Sequence, residues 1–129
     1  MTASTPEEIH RLWAEAYNAG NLESLLALYE AEAVLVPQPG QAPAAGRAAI
    51  RSALEGFLGQ KGDLIIEIKT AGMIRAGDIA LLRSRWSLSG QGRDGKPVAL
   101  THNSVEVVRR QADGSWRYLI DNPFGADRE

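Results

Sequence analysis

Two adjacent pairs in this chain join a group that can move a proton to one that can hold a ligand: His102-Asn103 and Asp121-Asn122. An imidazole changes charge near neutral pH, so His102 could serve as a general base if its side chain faces a pocket. The competing reading is a surface or hydrogen-bonded strand histidine. Asp121 and Asn122 stand just before Pro123, where a carboxylate could bond a ligand or activate water. Alternatively both side chains terminate a strand by satisfying loop amides, a routine use of Asp and Asn. Four aromatic residues, Trp13, Tyr17, Phe57 and Trp86, would suit the wall of a cavity for a flat organic molecule, with the Tyr17 phenol as a polar handle. They would equally suit a plain core. The candidate catalytic residues are therefore His102 and Asp121, and the candidate ligand-binding residues are Trp13, Tyr17, Gln38, Phe57, Trp86, Asn103 and Asn122. Glu67 is expected on a solvated face, as are Glu30 and Glu32, and His10 lies off the apolar stripe of its helix and is expected to be exposed.

Composition removes several kinds of chemistry. There is no cysteine, which excludes disulfides, thiolate metal sites and cysteine nucleophiles. The two histidines are far apart and the carboxylates scattered, so no metal site is expected, and no glycine-rich loop follows a strand to cradle a nucleotide. Any catalysis should be cofactor-free acid/base chemistry. A net charge of -2 gives no electrostatic footprint for phosphate backbones, so nucleic acid is not an expected partner. The first residues lack the apolar run of a signal peptide, and no stretch nears the ~20 apolar residues that span a bilayer, so a cytoplasmic protein with no membrane contact is expected.

The elements that would position these residues follow from period and punctuation. The chain of 129 residues suits one domain spanning 1–129. Thr5-Pro6-Glu7-Glu8 reads as a helix start, with Thr5 as cap and Glu8 completing a capping box. Ile9, Leu12, Trp13, Ala16 and Tyr17 then recur at helical spacing until Gly20. Asn21 caps a second helix with Leu22, Leu25, Leu26 and Tyr29 as its stripe, and Ala33-Val34-Leu35-Val36 turns to strand character. Three prolines between Pro37 and Pro43 enforce a loop over the pocket mouth. A third helix carries Ile50, Leu54, Phe57 and Leu58. From Asp63 the period becomes two, and four strands follow, joined by turns at Gly77-Asp78, at the glycine-rich segment 90–95 and at Asp113-Gly114. On the second of these, Leu82, Ser84, Trp86 and Leu88 oppose a basic face with Arg83 and Arg85. Such a meander must twist, and its hollow side must be filled by helices or a ligand. The expected fold is α+β, in the order α-α-β-α-β-β-β-β.

Residues 17–23 at the helix join, 28–34 into the first strand, 46–51 opening helix three and 113–117 in the last hairpin resemble the nuclear transport factor 2-like superfamily. That superfamily includes ketosteroid isomerase and the SnoaL-like polyketide cyclases, and the chain is most similar to its small stand-alone SnoaL-like and SgcJ-type members. The resemblance implies a cystatin-like cone, a curved, mixed but mainly antiparallel sheet wrapped around the N-terminal helices. It also implies a homodimer formed through the outer sheet face and a small organic ligand. One scaffold here serves isomerases, hydrolases, cyclases and pure binding modules, so function does not come with the fold. An isomerase of this type needs a carboxylate base just after the first strand and a helix-one tyrosine. This chain has Pro37 or Gln38 and Trp13 in those places, none of which can abstract a proton, and that argues against steroid isomerisation. An acid on the long strand between His102 and Glu106 stays open, because the register is not fixed by sequence. The expectation is a pocket protein for a small apolar molecule, acting by isomerisation, cyclisation or hydration. The alternative is a non-catalytic dimeric binding or protein-interaction module.

Overall fold

The computed structural model describes residues 2–127. Helix α1 (Glu8–Asn18) buries Ile9, Leu12, Trp13, Ala16 and Tyr17, and His10 with them. The expected exposure of His10 is therefore corrected: it lies three residues before Trp13 and seven before Tyr17, on the flank of the same face. The expected Thr5 cap is also corrected: Glu7 is the cap residue of α1 and makes no side-chain cap bond, while the Glu8 carboxylate accepts from the Ser4 backbone N–H at 3.1 Å. Gly20 adopts φ +67°, a left-handed stop that only glycine takes cheaply. Asn21 then caps α2 (Leu22–Leu26) by accepting from the Ser24 N–H at 3.1 Å. Tyr29, expected on the stripe of this helix, instead opens strand β1 (Tyr29–Leu35).

A loop leads to the two-residue strand β2 (Ala44–Ala45), which pairs antiparallel with β1, and to helix α3 (Arg47–Gly59). Four long strands follow: β3 (Ile65–Ala76), β4 (Ile79–Gln91), β5 (Pro97–Arg110) and β6 (Trp116–Asn122). The sheet order is β2-β1-β6-β5-β4-β3. Among the described residues only β1 and β6 run parallel, so the sheet is mixed but mainly antiparallel. Its hollow side receives the helices. Ile9, Leu25, Leu35, Ile50, Leu54, Leu82 and Val108 are fully buried there, each contributing roughly 1.5–3 kcal/mol relative to exposure.

Two irregularities bend this sheet and set which residues enter the hollow. In the β3–β4 ladder, Thr70 pairs with Ser84 and Gly72 with Arg83, leaving Ala71 as an extra residue. In the β5–β6 ladder, Val108 pairs with Tyr118 and Val107 with Ile120, leaving Leu119 unpaired. A bulge increases local twist, and one extra residue reverses the inward and outward alternation beyond it. Trp116 and Tyr118 face in, and after Leu119 the inward position passes to Asp121 while Ile120 faces out.

Candidate functional site

Between the helices and the sheet lies a cavity of about 740 Å³, lined by residues of α1, α3, the 37–38 segment, all four long strands and the C-terminal turn. Its floor is polar. Asp121 on β6 and Glu106 on β5 sit directly opposite each other across the ladder, and both are buried, at 5% and 4% exposure. Asp121 Oδ2 accepts from the Tyr29 hydroxyl at 2.6 Å, and that hydroxyl accepts from Trp13 Nε1 at 3.0 Å. Burial first, and the neighbouring Glu106 charge second, push the Asp121 carboxyl up from 3.8 to about 8, against the opposing pull of the Tyr29 bond. Burial and the Asp121 charge likewise raise the Tyr29 phenol well above its ordinary value. Tyr118 lines the same floor, and burial together with the charges of Asp121 and Glu106 pushes its phenol up as well.

Glu106 is held from behind. His10 Nε2 lies 3.0 Å from Glu106 Oε1, and His10 Nδ1 lies 2.7 Å from Thr70 Oγ1. A carboxylate only accepts, so Nε2 carries the proton in that bond. Ser104 donates to Glu106 Oε2 at 2.5 Å and also bonds Ser84. Among the described residues every side-chain polar atom sealed from solvent has a partner, so the Glu106 network is satisfied and specifies a single arrangement.

The upper wall is aromatic. Trp86 and His102 pack with ring centres 5.0 Å apart, and Phe124 meets both edge-on. Phe124 belongs to a C-terminal turn folded back over β5. Trp86 Nε1 donates to the Pro123 carbonyl at 2.7 Å, and Asp127 accepts from the Asn103 backbone N–H at 2.6 Å. Asp127 Oδ2 also lies 2.7 Å from His102 Nδ1. Although burial opposes it, the bonds from His102 and the Asn103 amide hold the Asp127 carboxyl below its usual range. With Nδ1 directed at that carboxylate, Nε2 is the remaining ring nitrogen of a side chain that lines the cavity.

Trp13, Tyr17, Gln38, Phe57, Trp86, His102 and Asp121 thus all border one cavity. The aromatic residues also pack against the core, so wall and core are the same side chains. Asn103 and Asn122 are corrections. Asn103 pairs with Arg85 on the outer face, between inward His102 and Ser104. The Leu119 bulge sends Asn122 outward, where a Cβ on Gly125 would collide with its amide and with Val105. Glu67 is exposed, as expected. Glu30 is a further correction: it is partly buried in a bidentate pair with Arg109, whose bond, with that of Gln111, lowers its carboxyl against burial. The acid left open on the long strand is Glu106, which the register turns inward; the sequence did not single out His10, Ser84, Ser104 and Tyr118, although strand alternation already placed Ser84 beside Trp86. Among the described residues no three His, Asp or Glu side chains converge as a metal ion would require, and no helix is long and apolar enough to cross a membrane.

The family model described as a SnoaL-like domain matches residues 10–119. The chain belongs to the SnoaL-like domain family. Solved structures agree on the fold. A candidate calcium/calmodulin-dependent protein kinase type II association domain from Thiobacillus denitrificans is 25% identical, with 95% of each chain covered and a TM-score of 0.77. A candidate scytalone dehydratase from Novosphingobium aromaticivorans is 18% identical, covering 89% of this chain and 77% of that one at a TM-score of 0.79. A nuclear transport factor 2-like protein with a cystatin-like fold, also from Novosphingobium aromaticivorans, is 21% identical, covering 89% and 77% at a TM-score of 0.73. The SnoaL-like chain has an α+β architecture and shares the cystatin-like fold of that nuclear transport factor 2-like structure. No curated protein matches it in sequence.

Proposed function

We propose that this SnoaL-like protein binds a small, largely apolar organic molecule in its cone and acts on it by cofactor-free proton transfer, in the isomerase, cyclase or hydratase class. One observation carries the reading: a carboxyl at the floor of an apolar cavity, held to about 8 by burial and by a second carboxylate. Such a group is populated in both forms near neutral pH, which is what a general acid/base requires. Tyr29 fixes Asp121 Oδ2, so the proton it exchanges sits on Oδ1, which has no bonding partner among the described residues. Asp121 is the acid/base of this proposal and Tyr118 an O–H donor beside it. His102 Nε2 is a second proton acceptor, four residues up β5 from Glu106, roughly 13 Å along the strand. The two therefore serve opposite ends of a ligand rather than one atom.

The solved relative named as a candidate scytalone dehydratase shares the fold, and the floor chemistry gives that likeness its content here. The test is a thermal-shift screen of aromatic and alicyclic carbonyl compounds, followed by turnover assays on every binder. Ligands should raise stability by a few kcal/mol at saturation, and Asp121→Asn should retain binding while losing turnover by roughly 10²-fold or more. A screen without any stabilising compound defeats the proposal, and full turnover by the Asn variant defeats the role of Asp121.

A second reading, a dimeric binding or interaction module, has its own observation. Ile74, Leu81, Val107 and Ile120 are cross-strand neighbours in one row on the outer sheet face, and Ile74 is 70% exposed. A homodimer through this face would cover the row, and it is compatible with a catalytic cone.

A further inference from the structure

His10 is a buried titratable side chain that the proposed reaction does not use. It is 2% exposed, stands on α1 behind the cavity floor, and is not among the residues that line the cavity. Its two ring nitrogens face different surroundings. Nε2 lies 3.0 Å from Glu106 Oε1, and Glu106 belongs to the cavity lining. Nδ1 lies 2.7 Å from Thr70 Oγ1. Thr70 is exposed on β3, an edge strand of the sheet, at the last regular pair before the Ala71 bulge. Thr70, His10 and Glu106 thus make a hydrogen-bonded line from the exposed sheet edge to the floor.

The partner of Nδ1 decides what this line can do. A backbone carbonyl there would only accept, and would fix the ring in one tautomer. A hydroxyl both donates and accepts, so the ring can hold a proton on Nε2, on Nδ1 or on both without losing either contact. We propose that Thr70, His10 and Glu106 form a proton relay that joins the cavity floor to solvent through the edge of the sheet. Inward, a solvent proton reaches the Thr70 oxygen as the Thr70 hydroxyl proton passes to Nδ1. The ring then releases its Nε2 proton to Glu106 Oε1, leaving a neutral Nδ1–H imidazole and a neutral carboxyl. One proton has entered and one has arrived, and the reverse sequence returns it.

The relay serves a floor whose other side a ligand covers. An apolar molecule filling the cavity separates the floor from water at the mouth. Once Asp121 has given its proton to that molecule, two carboxylates face each other across the β5–β6 ladder. A proton arriving on Glu106 removes the repulsion between them. This use rests on reading Asp121 as the acid/base, but the relay itself operates in the ligand-free protein, so it can fail while that reading stands.

Solvent exchange of the His10 Nε2 proton, followed by ¹H–¹⁵N NMR of the ligand-free protein at one fixed pH, tests it. In the wild type this proton should exchange faster than the backbone amides of the β4–β5 ladder, despite its burial. Thr70→Val places a methyl group where the hydroxyl stood and should slow the exchange roughly tenfold or more, and Thr70→Ser should restore it. A purely structural bond predicts the opposite sign, because its loss loosens His10 and quickens exchange. Unchanged or faster exchange in Thr70→Val, with the fold verified by circular dichroism, overturns the relay. Wild-type exchange as slow as that of the ladder amides overturns it as well. No ligand enters the measurement, so either result leaves the pocket reading as it was.

Discussion

In the proposed reaction Asp121 carries the chemistry because it is costly to ionise where it sits, and that cost should be visible in stability. Its ordinary value is 3.8 and its value in the fold about 8. Between those limits the folded protein keeps a proton that the unfolded chain has lost, so stability falls as pH rises through the window and levels off above it. The summed loss is on the order of 5 kcal/mol at most, and urea denaturation from pH 4 to 9 should show Asp121→Asn largely free of it. A wild type whose stability is flat or rising across that range contradicts the assignment. His10 is the second residue-scale prediction. His10→Ala removes the donor from a buried Glu106, which should cost about 3 kcal/mol, read as a lower urea midpoint at unchanged slope. A loss within experimental scatter would mean the pair is not formed. The burial of His10 was not legible, because a polar residue on the flank of an apolar stripe reads as exposed until its partner is known. That partner, Glu106, lies 96 residues away, and no local pattern announces it.

At the scale of elements, the helices, the helix join at Gly20-Asn21 and the four-strand meander were legible because period and glycine placement fix them locally. The phase of β6 was not. Trp116 and Tyr118 facing inward would predict Ile120 and Asn122 inward too, and only the Leu119 bulge exchanges Ile120 for Asp121. Leucine is no bulge signal, so the site's central carboxylate is positioned by a pairing irregularity that a single sequence conceals. The C-terminal turn is likewise tertiary, hung on Trp86 and Asp127. Trp86→Phe should keep the ring and lose its bond to the Pro123 carbonyl, loosening the turn by about 1 kcal/mol. Hydrogen exchange at the Ala126 amide, which bonds the Asn103 carbonyl, should then quicken while the β4–β5 ladder stays protected. Equal acceleration in both would mean that the turn does not open separately from the sheet.

For the whole molecule, the cone separates two jobs: its hollow face surrounds the cavity and its outer face carries the row Ile74, Leu81, Val107 and Ile120. A stable pairing needs about 800 Å² from each partner, which a long, curved, partly apolar sheet can supply. Leu81→Glu places a charge in the middle of the row and should convert a dimer to a monomer in light scattering, with the fold intact by circular dichroism. A wild type that is monomeric at all concentrations removes the proposed assembly but leaves the cavity untouched. The account as a whole turns on the protonation of one carboxyl, which ¹³C NMR of the Asp121 side chain reads directly. The predicted titration midpoint lies near 8 and falls in Glu106→Gln, where the neighbouring charge is gone. A midpoint close to the ordinary carboxylate range, indifferent to Glu106, would contradict it.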